Sequence, residues 1–241
     1  MITKNQVKYI QSLGQKKCRD ADQVFIAEGP KIVNELLIAE NCNVIQIYAL
    51  KDWINNTKTN AEITEVSADE LEKISQLNTP NQVFAIAKII KWDANPVIAG
   101  NISLALDTIQ DPGNMGTIIR LADWFGIKNV FCSMDCADVY NPKVVQSSMG
   151  SVARVRTEYT DLSSFLKKNN DIGIYATVLN GRDITKMEKI SEGIIVVGNE
   201  SKGISEEIFK LANVQITIRG KGKAESLNAA VATGIILSHL V

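Results

Sequence analysis

The chain contains one histidine, four cysteines and no apolar run approaching the roughly 18 residues needed to cross a bilayer. Each shortage removes a class of protein. A lone His239 excludes most multi-histidine metal centres and would have to be the sole imidazole of any Ser-His-Asp site. Cys18, Cys42, Cys132 and Cys136 form no Cys-x-x-Cys pair and are too few for a disulfide framework. Cys132 and Cys136 could approach each other on a helix turn, but no third or fourth ligand accompanies them, so no metal is expected. The longest apolar runs, such as Gly193–Val197, are of strand size, and Met1–Gln6 carry no hydrophobic leader. The expectation is a protein of the reducing cytoplasm with no membrane segment. An excess of positive charge is also missing: 26 basic residues face 27 acidic ones, for a net charge of −1.

What is present is ordinary globular material. The chain has 241 residues, of which 45% are hydrophobic and 22% charged, enough for two modest domains or one large one. The basic residues are bunched. Lys4, Lys8, Lys16, Lys17 and Arg19 precede the first acid, Asp20; Lys143, Arg154 and Arg156 lie in an acid-free stretch; so do Arg219, Lys221 and Lys223. Such patches allow a phosphate-bearing partner without requiring one, since each could equally be a solvated face.

The first part alternates short elements. Helices are expected at Lys4–Leu13, Pro30–Ala39 and Ser67–Gln76, and strands at Val24–Ala27, Val44–Leu50, Ile63–Val66 and Val83–Ile90. Ser67 followed by Glu70 reads as a capping box. The polar stretch Trp92-Asp93-Ala94-Asn95-Pro96 breaks the pattern, and the domain boundary is placed there, giving domains of residues 1–95 and 96–241. In the second part, strands at Ile102–Leu106, Asn129–Cys132, Ile172–Val178, Ile194–Val197 and Val214–Ile218 alternate with helices at Thr117–Phe125, Pro142–Ser148, Leu162–Lys168, Ser205–Leu211 and Leu227–Leu240. Buried strands alternating with helices predict an α/β domain with a mostly parallel sheet covered on both faces.

Ligands of such domains bind beyond the carboxyl ends of the strands. Three of those ends are followed by unusual loops: Asp111–Gly116 with Arg120 beyond it, Gly198–Gly203, and Arg219–Asn228. Any one loop reads as turns and caps; three on one sheet edge read as a site. Neither a phosphate-binding loop nor a Gly-x-Gly-x-x-Gly fingerprint is present.

In this order the loops resemble the three signature motifs of the SpoU/TrmH family of RNA 2′-O-ribose methyltransferases, within the SPOUT superfamily. Asp111–Arg120, continuing to Gly126, is similar to the first motif, Val196–Gly203 to the second and Ile218–Ala230 to the third. Ser12-Leu13, Lys16-Lys17-x-Arg19 and Phe25-x-x-Glu28-Gly29 are similar to the family's substrate-binding domain. The resemblance implies a trefoil-knotted C-terminal domain behind a small, ribosomal-protein-like N-terminal α/β domain that grips RNA. It implies a homodimer, with the active site at or near the subunit interface. It also implies transfer of a methyl group from S-adenosylmethionine to a ribose 2′-hydroxyl of ribosomal RNA, favoured over transfer RNA. A non-catalytic RNA-binding protein of the same fold is the alternative, and a plain interaction protein a third reading.

By position in these motifs, Arg120, Asn114, Glu200, Ser226 and Asn228 are the catalytic candidates. Gly198, Ile218 and Leu227, joined by Thr177, Leu179 and Asn180, are the cofactor-binding candidates. Lys17, Arg19, Arg154, Arg156, Lys221 and Lys223 are the candidates for RNA phosphates. The resemblance makes Arg120 the group that helps deprotonate the hydroxyl. Arginine's pKa above about 12 favours instead a fixed charge that holds phosphate and stabilises a developing alkoxide. The sequence leaves both roles open.

Overall fold

The computed structural model describes residues 2–92 and 95–241. The chain divides into two units, Met1–Asp93 with Asp138–Ala153, and Ala94–Ala137 with Arg154–Val241. The expected boundary stretch includes residues 93 and 94, which lie outside the described residues.

In the first unit, Thr3 accepts a hydrogen bond from the Gln6 amide and Gln6 reaches back to the Thr3 amide, so a reciprocal cap opens α1 (Lys4–Ser12). A short α2 (Lys16–Asp22) follows, a helix that sequence reading does not anticipate. Then come β1 (Val24–Glu28), α3 (Pro30–Ile38), β2 (Val44–Ala49), α4 (Lys51–Asn55), β3 (Glu62–Glu65), α5 (Ala68–Ile74) and β4 (Val83–Lys88). Proline at the first turn starts α3, and the Ser67–Glu70 capping box starts α5, as their spacing predicts. The four strands form a mixed sheet in the order β1-β4-β2-β3, with β4 antiparallel to both its neighbours. Every residue of β1 is buried. Ile10, Leu13, Val24, Ile26, Tyr48 and Phe84 belong to the core that α1 and α5 close.

Residues 138–153 also belong to this unit, although the sequence pattern groups them with the second domain. They hold α7 (Pro142–Ser148), which packs on β1. The Tyr140 ring lies 4.8 Å from that of Phe25, and its hydroxyl accepts from the Ile90 amide at 3.0 Å. Val144, Val145 and Val152 are buried there. Tertiary packing of this apolar face sets the assignment, which sequence order alone does not show.

The second unit contains β5 (Ile102–Asp107), α6 (Pro112–Trp124), β6 (Asn129–Cys132), β7 (Arg156–Tyr159), α8 (Leu162–Lys168), β8 (Ile174–Asp183), β9 (Gly193–Gly198), α9 (Glu206–Phe209), β10 (Val214–Thr217) and α10 (Ala229–Leu240). Its sheet is parallel throughout, in the order β10-β8-β9-β5-β6-β7. The central strands β5 and β9 read as continuous apolar runs because both their faces are covered. Phe131 stacks on Phe165 of α8 with ring centres 4.0 Å apart, fixing one of the covering helices. The opposite helix pair is α6 and α10, where Gly234 packs beside the Leu121 side chain. The amide of Ile190 donates to the Leu240 carbonyl at 2.7 Å, which ties the end of α10 to the segment before β9.

The strand β7 is absent from the sequence-based reading because its four residues alternate charge and polarity and are only half-buried, as at a sheet edge. Cys132 and Cys136 do not share a helix turn; one ends β6 and the other lies in the loop that follows.

Candidate active site at the carboxyl edge of the parallel sheet

The carboxyl ends of β5 and β9 are neighbours in the sheet, and each runs straight into a motif loop. Asp111 caps α6 by accepting from the Asn114 amide at 2.8 Å, so the helix begins at Pro112 and not at Thr117 as the sequence pattern predicts. Asn114 is thereby placed in the first helical turn. Its side-chain amide donates to Glu200 of the loop after β9 through a short hydrogen bond. Its carbonyl oxygen accepts from Asn228 Nδ2 at 2.8 Å. Asn228 in turn caps α10, its Oδ1 accepting from the amides of Ala230 at 3.0 Å and Val231 at 3.2 Å. One chain of amide and carboxylate contacts thus joins all three loops. Two helix N-termini converge on it, an electrostatic setting that favours negative charge.

The remaining catalytic candidates stand apart from this chain. Arg120 is exposed on α6 and its side chain makes no hydrogen bond or ion pair among the described residues, and Glu200 is bonded to Asn114, not to Arg120. Ser226 is exposed in the loop before α10, whose N-cap is Asn228.

The loop after β9 is built tightly. Asn199 and Gly203 exchange backbone hydrogen bonds of 3.0 and 2.9 Å, and Gly203 turns with φ of 69°. A Cβ on Gly198 would overlap the Gly203 carbonyl carbon and the Ile204 nitrogen. Glycine is therefore required at 198 by the chain's own return. Asn199 fills the loop: its Nδ2 donates to the Thr108 carbonyl at 2.9 Å, while its Oδ1 accepts from the amides of Ser201 at 2.9 Å and Lys202 at 3.1 Å. Beyond it, the Ser205 amide donates to the buried Asp107 carboxylate at 2.7 Å. Sequence reasoning did not single out Asn199, Asp107 or Thr108. The one available signal was an Asn four residues before a Gly, a turn-closing pair.

Thr108 is held with φ of 61°, uncommon for a branched residue. Its amide donates to Ser133 Oγ at 2.9 Å, and the next amide, of Ile109, donates to Cys136 Sγ at 3.3 Å. The Cys136 thiol also contacts the Leu106 carbonyl at 3.2 Å. Contact with Cys132 and these donors hold the Cys136 thiol down at about 7, whereas burial pushes Cys132 well up.

On the other side of β9, residues 177–181 leave the sheet. Pairing between β8 and β10 jumps from Ala176–Gln215 to Arg182–Ile216, so Thr177, Leu179 and Asn180 lie in an unpaired bulge at the carboxyl edge. Leu179 is 74% exposed and Leu227 46%. Among the described residues, no backbone N–H from Ile218 to Leu227 donates a hydrogen bond. Apolar walls and free amides are what a purine ring requires. Lys221 and Lys223 stand exposed in that same loop.

The basic candidates separate. Lys17 is exposed and makes no ion pair among the described residues. Arg19 is not a surface residue: it is 2% exposed, with its guanidinium on the Leu13 and Gly14 carbonyls at 2.9 Å each and on the Asp138 carboxylate at 2.5 Å. The expectation that it contacts RNA phosphate is corrected, because the pairing acid arrives from residue 138, far away in sequence. Arg154 is paired with Asp123 at 2.8 Å and Arg156 with Glu158 at 2.8 Å, so their acid-free stretch is neutralised by acids outside it.

Between α6 and α10 lies a cleft of about 420 Å³, lined by Thr117, Leu121, Val231 and Ile235 and ending at Asn114 and Asn228. Trp124 and Val231 are exposed on these helices. Among the described residues no helix is long and apolar enough to cross a membrane, and no group of three or more His, Cys, Asp or Glu is arranged to hold a metal.

Residues 101–238 match the SpoU rRNA methylase family, a span of more than half the chain that includes all three loops. The chain belongs to that family. Residues 4–85 match the MRM3-like substrate-binding domain. This SpoU methylase is 29% identical over 244 residues to the 23S rRNA (guanosine(2553)-2′-O)-methyltransferase RlmP of Bacillus subtilis, covering 98% of this chain and 96% of the relative. It is also similar to a structure from Porphyromonas gingivalis assigned to the TrmH family of RNA methyltransferases, with 35% identity, a TM-score of 0.86 and coverage of 99% and 98% of the two chains. The AdoMet-bound rRNA methyltransferase of Sinorhizobium meliloti aligns with a TM-score of 0.86 at 29% identity, covering 99% of this chain and 95% of that one. The protein is an RNA methyltransferase of the SpoU family.

Proposed function

We propose that this methylase transfers a methyl group from S-adenosylmethionine to a ribose 2′-hydroxyl of ribosomal RNA. The observation that carries the reading is the Asn228–Asn114–Glu200 chain, which gathers three loops at the one sheet edge where α/β domains bind ligands. The bulge at Thr177, Leu179 and Asn180, together with Ile218, Leu227 and the free amides after β10, fits the adenosine part of the donor. Gly198 acts through the loop it allows, keeping the β9 end open beside that space. When bound, AdoMet supplies an electrophilic methyl on sulfonium.

The residues of the chain orient the acceptor and stabilise its loss of a proton. Asn114, held by Glu200 and Asn228, offers an amide at two converging helix N-termini, where a developing alkoxide is favoured. Arg120 fixes the target phosphate and adds a permanent positive charge; the hydroxyl proton leaves through phosphate or water. Ser226 contacts ribose or phosphate next to Asn228. Lys17 on the first unit and Lys221 and Lys223 on the second supply phosphate contacts, while Arg154 and Arg156 contribute only as far as their ion pairs release them.

The enzyme works as a homodimer in the cytoplasm. Trp124 and Val231 are exposed apolar side chains on α6 and α10, with half-buried Leu121 in the cleft between the helices, the kind of surface a second copy covers. Arg120 stands on the same exposed stretch of α6, one helical turn from Trp124. A second copy on that face brings Arg120 of one subunit toward the loops of the other, which accounts for its isolation within one chain. The expected trefoil knot is supported by the parallel order β10-β8-β9-β5 and by the tie between Ile190 and the end of α10.

Two measurements test the reading. AdoMet titrated calorimetrically into the full chain should bind in the micromolar range, about −8 kcal/mol. Leu179→Asp with Leu227→Asp should abolish that binding in a folded protein. Unchanged binding would place the donor elsewhere.

A further inference from the structure

Glu200 is oriented by Asn114 on one side only; what fixes the loop from which it projects is a second set of bonds. Asn199, its chain neighbour, bridges two elements with one side chain. Nδ2 donates across to the Thr108 carbonyl at the end of β5 (2.9 Å), and Oδ1 closes its own loop on the amides of Ser201 and Lys202 (2.9 and 3.1 Å). The receiving carbonyl is itself immobilised. Thr108 sits in a left-handed conformation, anchored through its amide to Ser133 Oγ, and the neighbouring Asp107 carboxylate takes the Ser205 amide beyond the loop. The loop carrying Glu200 is thus pinned to the β5 end at both its start and its finish. The pin at the start is a single amide group.

We propose that Asn199 is a positioning residue for methyl transfer, acting through Glu200 by locking the loop after β9 onto the carbonyl of Thr108. The inference rests on the activity proposed above. A side chain that both donates and accepts is needed here, because the Thr108 carbonyl accepts a hydrogen bond and the two loop amides each donate one. Aspartate is the informative replacement. It keeps the oxygen that closes the loop and its two amide bonds, but turns the donor facing Thr108 into an acceptor, so two oxygens oppose each other. The loop stays folded on itself while its link to β5 is lost.

The experiment is a double-mutant cycle on the full chain, with single-turnover methyl transfer to ribosomal RNA at saturating labelled AdoMet as the readout. Asn199→Asp should lower the rate tenfold or more with RNA affinity within twofold of wild type. In a Glu200→Ala background the same substitution should change the residual rate by less than twofold, because there is no carboxylate left to position. Asn199→Ser, which also lacks the donor reach to Thr108, should behave alike and takes its place if the Asp variant does not fold by circular dichroism. A wild-type rate for Asn199→Asp overturns the proposal. So does an equal fold-loss in both backgrounds, the mark of a structural role independent of Glu200. Absence of any transfer by the wild-type protein would overturn the proposed activity itself, and is read separately from the cycle.

Discussion

Replacing Arg19 by methionine tests the reassignment of a basic residue from the RNA surface to the interior. The substitution keeps an unbranched side chain of similar length, so packing loss is small, and removes the three hydrogen bonds to Leu13, Gly14 and Asp138. Breaking a buried ion pair costs about 3–5 kcal/mol when the partner stays unpaired, and each orphaned carbonyl about 1–3 kcal/mol. Asp138 keeps 18% of its side chain in solvent, so water recovers part of this. A loss of at least about 3 kcal/mol is expected after that discount, which for a chain of this size lowers the melting temperature by at least roughly 6 °C. Trp53, buried in the same unit, reports the unfolding by fluorescence. Below the transition, RNA affinity and its salt dependence should stay within twofold of wild type. Unchanged melting together with a lost phosphate contact, seen as a flatter salt slope, would refute the assignment.

Other consequences follow from the same geometry. Gly198→Ala should destabilise the loop after β9 and weaken AdoMet binding in a calorimetric titration, since its Cβ would overlap the backbone of residues 203 and 204; a variant with native melting and native AdoMet affinity would contradict this. Lys17→Ala should reduce the slope of log affinity for RNA against log salt by about 0.7–0.9 while AdoMet affinity stays the same, and an unaltered slope would make Lys17 a solvated side chain only. Co-expressed Arg120→Ala and Asn228→Ala subunits should recover about a quarter of wild-type transfer, because half of the dimers are mixed and each mixed dimer keeps one intact shared site. No recovery would place both residues in one subunit's site. The Cys136 thiol, held near 7 in the fold, is thiolate while the unfolded thiol is still protonated; stability should therefore rise between pH 7 and 9 and be lost as pH falls through 7. Urea denaturation should show that rise in the wild type and not in Cys136→Ser.

The features legible in the sequence were those fixed by local pattern. The Ser67–Glu70 capping box, Pro30 at a first turn and continuous apolar runs located α5, α3, β5 and β9, because short-range hydrogen bonding and two-sided burial write themselves into neighbouring residues. The three motif loops were legible for a related reason: glycine, asparagine and proline cluster where a strand end must turn sharply. Asn114, Glu200 and Asn228 were assigned by the resemblance of those loops to the SpoU/TrmH motifs, and the structure brings them together. Arg19 was misread because its partner, Asp138, is 119 residues away. The start of α6 was misplaced because Gly113 and Gly116 look like turn residues, whereas the Asp111 cap and Pro112 carry the helix through them. Asn199 stayed hidden behind Glu200, since nothing in a linear pattern says which amide will reach the next strand.

The most direct test of the central claim asks which atom receives the methyl group. Ribosomal RNA from cells lacking the gene is incubated with the purified protein and methyl-labelled AdoMet, then hydrolysed in alkali. A 2′-O-methyl group removes the hydroxyl that alkaline cleavage needs, so ribose methylation must leave the label in alkali-resistant dinucleotides. Label in resistant dinucleotides, lost when Asn114 is replaced by alanine, is the predicted result. Label recovered in mononucleotides would mean that a base is the acceptor and would contradict the account.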